Sequence, residues 1–350
     1  MKKQDIYYKI FLSLSSFSRG LVDAFSLVML YQKGYSVREI FIFIFITYLV
    51  GIFASYVSIC FYKRVMLVIS NIVYGICFMY LSCISYSFMH LIFLGILFSF
   101  SHYSYHTIRH YYAFKMLKDR NNTGGIVSMM YLSSSVSALI GGYLLQYCSF
   151  SLVSIILFVM LFISCFFIYY CYDDYVCWKL DIKMVHIDKR KILFSVLEQF
   201  KVLFMEIQPL FIYLYISDNY SYIGIVRVIM NIASLLVIYY LGKNISLKRF
   251  FLVTIFLGII LSFKIWIRQD IIMFFLVFLE GIFVKLYEIV SLKNLYDYGD
   301  NNINGYLFVE EVIFLISKCF VILFCIIFHI NFIILLYMFI MFIIFSGFFV

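Results

Sequence analysis

The sequence predicts an all-α polytopic membrane protein with twelve transmembrane helices. Hydrophobic residues make up 65% of the 350 residues and charged residues only 13%, whereas a soluble domain has about 45–50% apolar and 25% charged residues. Apolar stretches of about 20 residues, the length that crosses a bilayer as a helix, recur along the chain. They lack the alternation of polar and apolar positions that a spanning β-strand requires.

Twelve apolar segments account for most of the chain. The first is too long for a signal-peptide core and is followed by no small-residue cleavage site, so we expect it to be retained as a spanning helix. The segments are 9–31, 40–62, 65–84, 91–113, 124–146, 151–172, 192–215, 220–242, 248–267, 270–292, 305–328 and 330–349.

The basic residues predict the orientation of these segments. Eighteen Lys and Arg residues fall on the side of the N-terminus, against Lys33, Arg38 and Arg268 on the other side. Cytoplasmic loops carry the excess of positive charge, so both termini are expected in the cytoplasm and the protein in the plasma membrane. The net charge of +9 is therefore a topology signal and needs no nucleic acid to explain it. We expect a monomer in the lipid bilayer.

The two halves of the chain repeat each other. Gly34-Tyr35-Ser36 and Asn219-Tyr220-Ser221 lie 185 residues apart, as do Lys63-Arg64 and Lys248-Arg249. A third pair of similar stretches, at 121–125 and 301–305, has an offset of 180 residues. Matches in the same order indicate a duplicated unit, which is typical of secondary transporters.

A polar stretch at 173–191 separates the two copies and predicts a cytoplasmic linker. The domain prediction is a six-helix bundle at 1–172, the linker at 173–191, and a second six-helix bundle at 192–350. The linker has a basic excess of its own, which places it on the same side as the termini.

Short motifs at the helix ends carry a family resemblance. Tyr62-Lys63-Arg64 follows the second segment, Gly242-Lys243-Asn244 with Lys248-Arg249 follows the eighth, and small residues from Ser133 to Gly142 occupy the fifth. With the duplicated halves, the chain resembles a divergent bacterial member of the major facilitator superfamily over nearly its whole length. The resemblance implies two pseudo-symmetric six-helix bundles, with helices 1, 4, 7 and 10 lining a central cavity.

Thirteen ionisable residues fall inside the apolar segments, where each needs a partner or a wet cavity. Segments 1, 7 and 10 carry eight of the thirteen, in agreement with the cavity helices that the resemblance implies. Lys264, in segment 9, is expected to extend to the outer interface. The thirteen residues are Arg19, Asp23, Glu198, Lys201, Glu206, Arg227, Lys264, Glu280, Lys285, Glu288, Glu310, Glu311 and Lys318.

Helical spacing predicts three local charge pairs. Arg19 and Asp23 lie four residues apart, whereas Glu198 with Lys201 and Lys285 with Glu288 lie three apart. Residues at these spacings meet on one helix face. Arg19 and Asp23 are predicted to face the substrate cavity, and the other two pairs are expected to be structural.

Glu206 and Glu280 lie near the middle of their segments without an opposite charge at helical spacing. Desolvation favours the protonated form of a carboxyl group, so either residue is a candidate for coupling proton movement to transport. The alternative is a static pair with Arg227 or Lys318. Gln208 precedes the single proline of the chain, which predicts a kink at the cavity or a kink used only for packing.

Histidines at 102, 106 and 110 form a stripe on the fourth segment. His102 and His106 are assigned to the cavity wall, to a proton relay, or to a metal ion. No carboxylate or cysteine on that helix completes a metal shell, so no bound metal and no cofactor are predicted.

The predicted function is secondary active transport by alternating access, with proton-coupled export of a small amphipathic solute or drug. Some membrane proteases have a Glu-Glu-x-x-x-Arg motif followed by two histidine motifs. Glu310-Glu311 is not followed by the arginine, since position 315 is Leu, and only His329 follows. No enzyme is therefore predicted. Two alternatives remain open. One is nutrient uptake by the same fold, and the other is a non-transporting immunity or sensor protein with a transporter-like scaffold.

Overall fold

The computed structural model describes residues 3–117, 123–170, 189–241, 250–267, 269–296, 303–328 and 332–348, and these residues form helices and short connections. The all-α prediction is therefore confirmed for this part of the chain. Most of the predicted linker, 173–188, and the loop with Lys248 and Arg249 lie outside the described residues.

Each predicted apolar segment contains a helix, and the first contains two. The helices are α1 Lys3–Gly20, α2 Ser26–Gln32, α3 Val37–Cys60, α4 Lys63–Cys83, α5 Phe88–Leu117, α6 Thr123–Tyr147, α7 Phe150–Tyr169, α8 Lys189–Tyr215, α9 Tyr220–Leu241, α10 Phe250–Trp266, α11 Asp270–Tyr296, α12 Ile303–Ile327 and α13 Phe332–Ser346.

Six helical stretches among the described residues are long and apolar enough to cross a membrane. Helices α10 and α13 are apolar but shorter, with 17 and 15 residues. Together they indicate a multi-pass membrane protein. The six stretches are Ile6–Gln32, Val37–Cys60, Lys63–Cys83, Phe88–Tyr112, Phe150–Tyr169 and Tyr220–Tyr240.

The helix ends follow local sequence rules. Ser36 caps α3 in a capping box, accepting from the Glu39 backbone N–H while the Glu39 carboxylate accepts from the Ser36 backbone. Gly34 precedes this cap with a φ of +95°, a conformation that favours glycine. Ser149 caps α7 by accepting from the Leu152 backbone N–H.

The first segment is not one continuous helix, and this corrects the sequence prediction. Helix α1 ends at Gly20, a 3-10 turn spans Asp23–Phe25, and α2 begins at Ser26. At the break, the Val22 backbone N–H donates to the Arg19 carbonyl and the Phe25 N–H to the Val22 carbonyl, three residues back rather than four. Arg19 and Asp23 therefore lie on opposite sides of the break, not on one helix face.

Helix packing follows the same scheme in the two parts of the chain. Helix α3 packs on α5, α4 on α5 and α7, and α1 on α6 and α7. The counterparts six segments later pack alike, since α9 contacts α11, α10 contacts α11 and α13, and α8 contacts α12 and α13. Helices of residues 3–170 and of residues 189–348, called here the first set and the second set, meet mainly where α6 packs on α9 and α3 on α12.

Two adjacent glycines let α6 approach both sets at once. A Cβ on Gly141 would collide with the Leu21 carbonyl oxygen at the helix break. A Cβ on Gly142 would lie 2.7 Å from the Tyr220 carbonyl oxygen of α9. The small-residue stretch noted in the fifth segment thus provides close backbone packing against α1 and α9.

We expect Gly141→Ala to destabilise the folded protein by about 1–3 kcal/mol, because the new methyl group overpacks a site formed by backbone atoms. The melting temperature in detergent measures the effect. Gly95→Ala is the matched control, since its Cβ would meet an Ile46 side-chain methyl at 3.1 Å rather than a backbone atom. Equal melting temperatures for the two variants would contradict the close packing.

Candidate functional site

Arg19 is anchored among α1, α4, α5 and α7 and is 4% exposed. Its guanidinium donates to the Asn71 side-chain oxygen at 3.1 Å, and Asn71 in turn donates to the hydroxyls of Ser15 and Ser164 at 2.9 and 3.0 Å. The guanidinium carbon also lies 4.1 Å from the ring centre of Tyr74 and 4.0 Å from that of Tyr105. These cation–π contacts and the amide stabilise a charge that the interior would otherwise exclude.

Asp23 lies at the break of the first segment and exposes its side chain. The Tyr74 hydroxyl donates to its carboxylate, so Tyr74 links Asp23 to Arg19, whose guanidinium lies over the Tyr74 ring. Arg19, Arg227 and Arg109 all act electrostatically on this carboxylate. Asp23 is thus an accessible carboxyl group within the electrostatic influence of three arginines. The predicted direct pair of Arg19 and Asp23 is replaced by an indirect link through a tyrosine.

Glu206 of α8 contacts helices of both sets. Its carboxylate accepts from the Tyr48 hydroxyl of α3 and lies 3.3 Å from the Lys318 ammonium of α12. The Lys318 nitrogen also lies 4.8 Å from the centre of the Tyr48 ring. The Glu206 side chain remains 35% exposed, whereas that of Lys318 is 7% exposed. The cross-helix pair with Lys318, one of the alternatives raised by the sequence, is present in the structure.

Glu280 has two partners, and neither follows from helical spacing. The Lys264 ammonium of α10 lies 2.5 Å from its carboxylate, and Gln208 of α8 donates to both carboxylate oxygens at 2.8 and 3.1 Å. Lys264 is 1% exposed and Glu280 is fully buried. The expectation that Lys264 reaches the outer interface is therefore wrong, because a buried carboxylate neutralises it in place.

The Gln208-Pro209 stretch lines a small cavity. Pro209 lies inside α8, where it removes one backbone hydrogen bond. Gln208 and Pro209 share the cavity wall with Ala24 of the 3-10 turn and Arg227 of α9. The proline, the broken first segment and Arg227 thus meet at one place.

The two charge pairs that helical spacing predicted to be structural are present as ion pairs. The Lys201 ammonium lies 3.6 Å from the Glu198 carboxylate, and the Lys285 ammonium lies 3.0 Å from the Glu288 carboxylate. Lys201 also lies 4.4 Å from the centre of the Tyr287 ring, which joins α8 to α11.

Lys63 and Arg64 hold helix ends together. Lys63 is 2% exposed, donates to the Ile59 carbonyl at 3.4 Å and lies 4.4 Å from the Tyr111 ring. Arg64 donates to the Tyr169 carbonyl at 3.1 Å. These residues tie α4 to α5 and α7.

The histidine stripe of α5 faces α12. His106 and His110 approach each other with their Nε2 atoms 3.3 Å apart. The Nδ1 atom of His106 lies 3.9 Å from the Glu311 carboxylate, while His102 stacks against Phe98 at 5.6 Å and His106 at 6.4 Å between ring centres. No group of three or more metal-ligating side chains occurs among the residues with described placement.

Three residues of this network are absent from the sequence prediction. Tyr48 and Tyr74 donate to the two accessible carboxylates, and Asn71 holds Arg19. The two tyrosines gave no signal because the chain has 32 residues of this type, and a single asparagine in an apolar helix was the one clue to Asn71.

Comparison with known proteins gives a structural neighbour. No protein family matches the sequence, and no curated protein does. A solved structure described as "Structure of a bacterial metal transporter" superposes with a TM-score of 0.70 and 12% identity, covering 100% of this chain and 98% of that one. The likeness shows a shared fold over the full length.

We expect Lys264→Met to destabilise the protein by about 3–5 kcal/mol, because it leaves the Glu280 carboxylate buried without a counter-charge. Melting temperature in detergent is the measurement. The double variant Lys264→Met with Glu280→Met is the control, since replacing both charges with apolar groups is often neutral. A double variant no more stable than the single one would argue against the pair.

Proposed function

We propose that the chain is a secondary active transporter that works by alternating access, built from two pseudo-symmetric six-helix halves of the major facilitator type. The matching packing schemes of the first and second sets support the duplication. The two sets contact each other mainly where α6 packs on α9 and where α3 packs on α12. The duplication relates these two contacts to each other, because α6 corresponds to α12 and α3 to α9. Halves that meet along two seams can rock about a site between them.

Contacts between the sets at one end of the molecule support a conformation closed at that end. Gln32 donates to the Tyr213 hydroxyl at 2.8 Å, and the Tyr220 hydroxyl donates to Gln32 at 2.6 Å. The Tyr220 backbone N–H donates to the Gln146 side chain at 3.1 Å. Deeper between the sets, Asp23 is exposed and the His106 side chain is 36% exposed. The positive-inside prediction assigns the closed end to the outside.

Glu206 is the proposed coupling residue, and its position is the observation that carries the proposal. It contacts both sets through Tyr48 and Lys318 while a third of its side chain is exposed. Protonation of Glu206 would weaken its attraction to Lys318 within the second set, and it would also weaken the hydrogen bond from Tyr48, which is the contact across the interface. Glu280, fully buried between Lys264 and Gln208, is better suited to a structural role. We therefore propose Glu206 rather than Glu280 as the residue that couples proton movement to transport.

Export driven by the proton gradient remains the proposed direction, with a small amphipathic solute as cargo. The exposed Asp23 suits a compound with a cationic group. A metal cation is a second candidate, since the similar solved structure is that of a bacterial metal transporter and α5 carries paired histidines. Nutrient uptake and a non-transporting scaffold are the competing functions.

We expect Glu206→Gln to abolish uphill, proton-driven flux in proteoliposomes while leaving exchange down a gradient intact. The amide keeps the shape of the side chain but no longer takes up a proton. Glu280→Gln is the matched control and should lower the melting temperature without uncoupling flux from the gradient. Full proton-driven flux by Glu206→Gln would remove this residue from the coupling role.

We expect a cross-link between Gln32→Cys and Tyr220→Cys to stop transport, because the closed end must open in each cycle. The cross-linker contains a cleavable disulfide, so reduction should restore flux. Each single variant treated in the same way controls for the native cysteines. Undiminished flux after complete cross-linking would contradict alternating access at this end.

A further inference from the structure

The pair of histidines on α5 has the geometry of a metal chelate. His106 and His110 lie four residues apart, a spacing that places two imidazoles on one helix face toward one metal ion. Two nitrogens bound tetrahedrally at Zn–N distances of about 2.0–2.1 Å stand about 3.3–3.4 Å apart. The Nε2 atoms of His106 and His110 are 3.3 Å apart. The separation of the two nitrogens therefore matches that of two ligands on one ion.

We propose that His106 and His110 bind a divalent late first-row transition metal ion, such as Zn²⁺, through their Nε2 atoms, and that this ion is the cargo. The inference rests on the proposed transport function. Imidazole suits zinc, copper, nickel and iron, whereas Mg²⁺ and Ca²⁺ prefer oxygen ligands.

Glu311 of α12 supports the assignment of the ligand atoms. Its carboxylate lies 3.9 Å from Nδ1 of His106, within a side-chain rotation of hydrogen-bond distance. A histidine that ligates a metal commonly donates its other ring N–H to a carboxylate, which fixes the tautomer and orients the ring. The Nδ1 atoms of His106 and His110 are buried without a hydrogen-bond partner among the described residues. The ring of His106 thus presents Nε2 to the ion and Nδ1 to Glu311.

The charges around the pair are balanced well enough for a cation. Arg109 and Lys318 are the charged basic side chains that act on His106. Lys318 is already paired with Glu206 at 3.3 Å, and the Glu311 carboxyl group faces His106 from α12. Arg109 remains the opposing charge, which lowers affinity and favours release.

The site is accessible and incomplete, as a transport site must be. The His106 side chain is 36% exposed, and two protein nitrogens leave at least two coordination positions for water. A site with a full set of protein ligands would hold the ion too tightly to release it. The site also lies between helices of the two sets, since α5 belongs to the first set and Glu311 to the second. Movement of one set against the other would displace the carboxylate from His106 and weaken the chelate.

The test is direct binding of Zn²⁺ to the full-length protein in detergent, measured by calorimetry, with Co²⁺ absorption reporting tetrahedral coordination. We expect one Zn²⁺ per chain, with no competition from Mg²⁺. Glu311→Gln should weaken binding about 10–100-fold, and His106→Gln or His110→Gln should weaken it further.

His90→Gln is the matched control, because His90 pairs with Tyr80 at the start of α5, away from the site. It should bind Zn²⁺ as the unaltered chain does. Unchanged affinity in His106→Gln and His110→Gln, an equal loss in His90→Gln, or no Zn²⁺ binding by the unaltered chain would each overturn the site. All variants are first compared by melting temperature, so that misfolding is recognised.

Flux measurements separate this inference from the transport proposal. Zn²⁺ flux in proteoliposomes that is lost in His110→Gln supports both. Flux of an organic solute without Zn²⁺ binding overturns the metal site and leaves transport standing. Zn²⁺ binding by a chain that moves neither the ion nor any solute overturns the assignment of the ion as cargo and the transport function together.

Discussion

Neutralisation of buried charge is the constraint on which the interior of this protein depends. A bare charge in a low-dielectric interior costs several kcal/mol, so each must find a counter-charge, a dipole or an aromatic face. Arg19 uses Asn71 and two tyrosine rings, Lys264 uses Glu280, and Lys318 uses Glu206 with Tyr48. These contacts join different helices. The charged residues thus help to determine which helices become neighbours. Hydrophobicity alone cannot do so, because nearly all the helices are hydrophobic.

The pairs differ in what they can do. Lys264 and Glu280 are both nearly inaccessible, and separating them would leave two bare charges, so this pair resists change. Glu206 and Lys318 pair within the second set with one partner partly exposed, and Tyr48 of the first set donates to the same carboxylate. A proton or a cation arriving at Glu206 can compete for the carboxylate at modest cost. The buried pair of Lys264 and Glu280 is therefore structural, whereas the pair of Lys318 and Glu206 is a candidate switch. The difference lies in the solvent exposure of the carboxylate.

Sequence reasoning found the helices and the charged residues but not their partners. Twelve apolar segments and the pairs at spacing i, i+3 follow from helix geometry, which is local. The partner of Lys264 lies 16 residues away across a helix hairpin, and Tyr48 lies 158 residues from Glu206. Such contacts depend on how helices pack, which no periodicity records. The break at Gly20 was also missed, because the hydrophobic pattern continues through it while the backbone is shaped by the close approach of Gly141.

That break brings the first segment into contact with both sets. Helix α1 packs on α6 and α7 of the first set, and α2 contacts α3 of the first set and α8 of the second. The 3-10 turn contacts α8 and α9 of the second set. If the sets rock, one end of the segment follows each of them, and Leu21 and Val22 become a hinge. Asp23 adjoins this hinge, so its carboxylate would swing with every cycle while Arg19 stays fixed. The electric field at a metal ion bound between the sets would then change, although the ligands of the ion would stay the same.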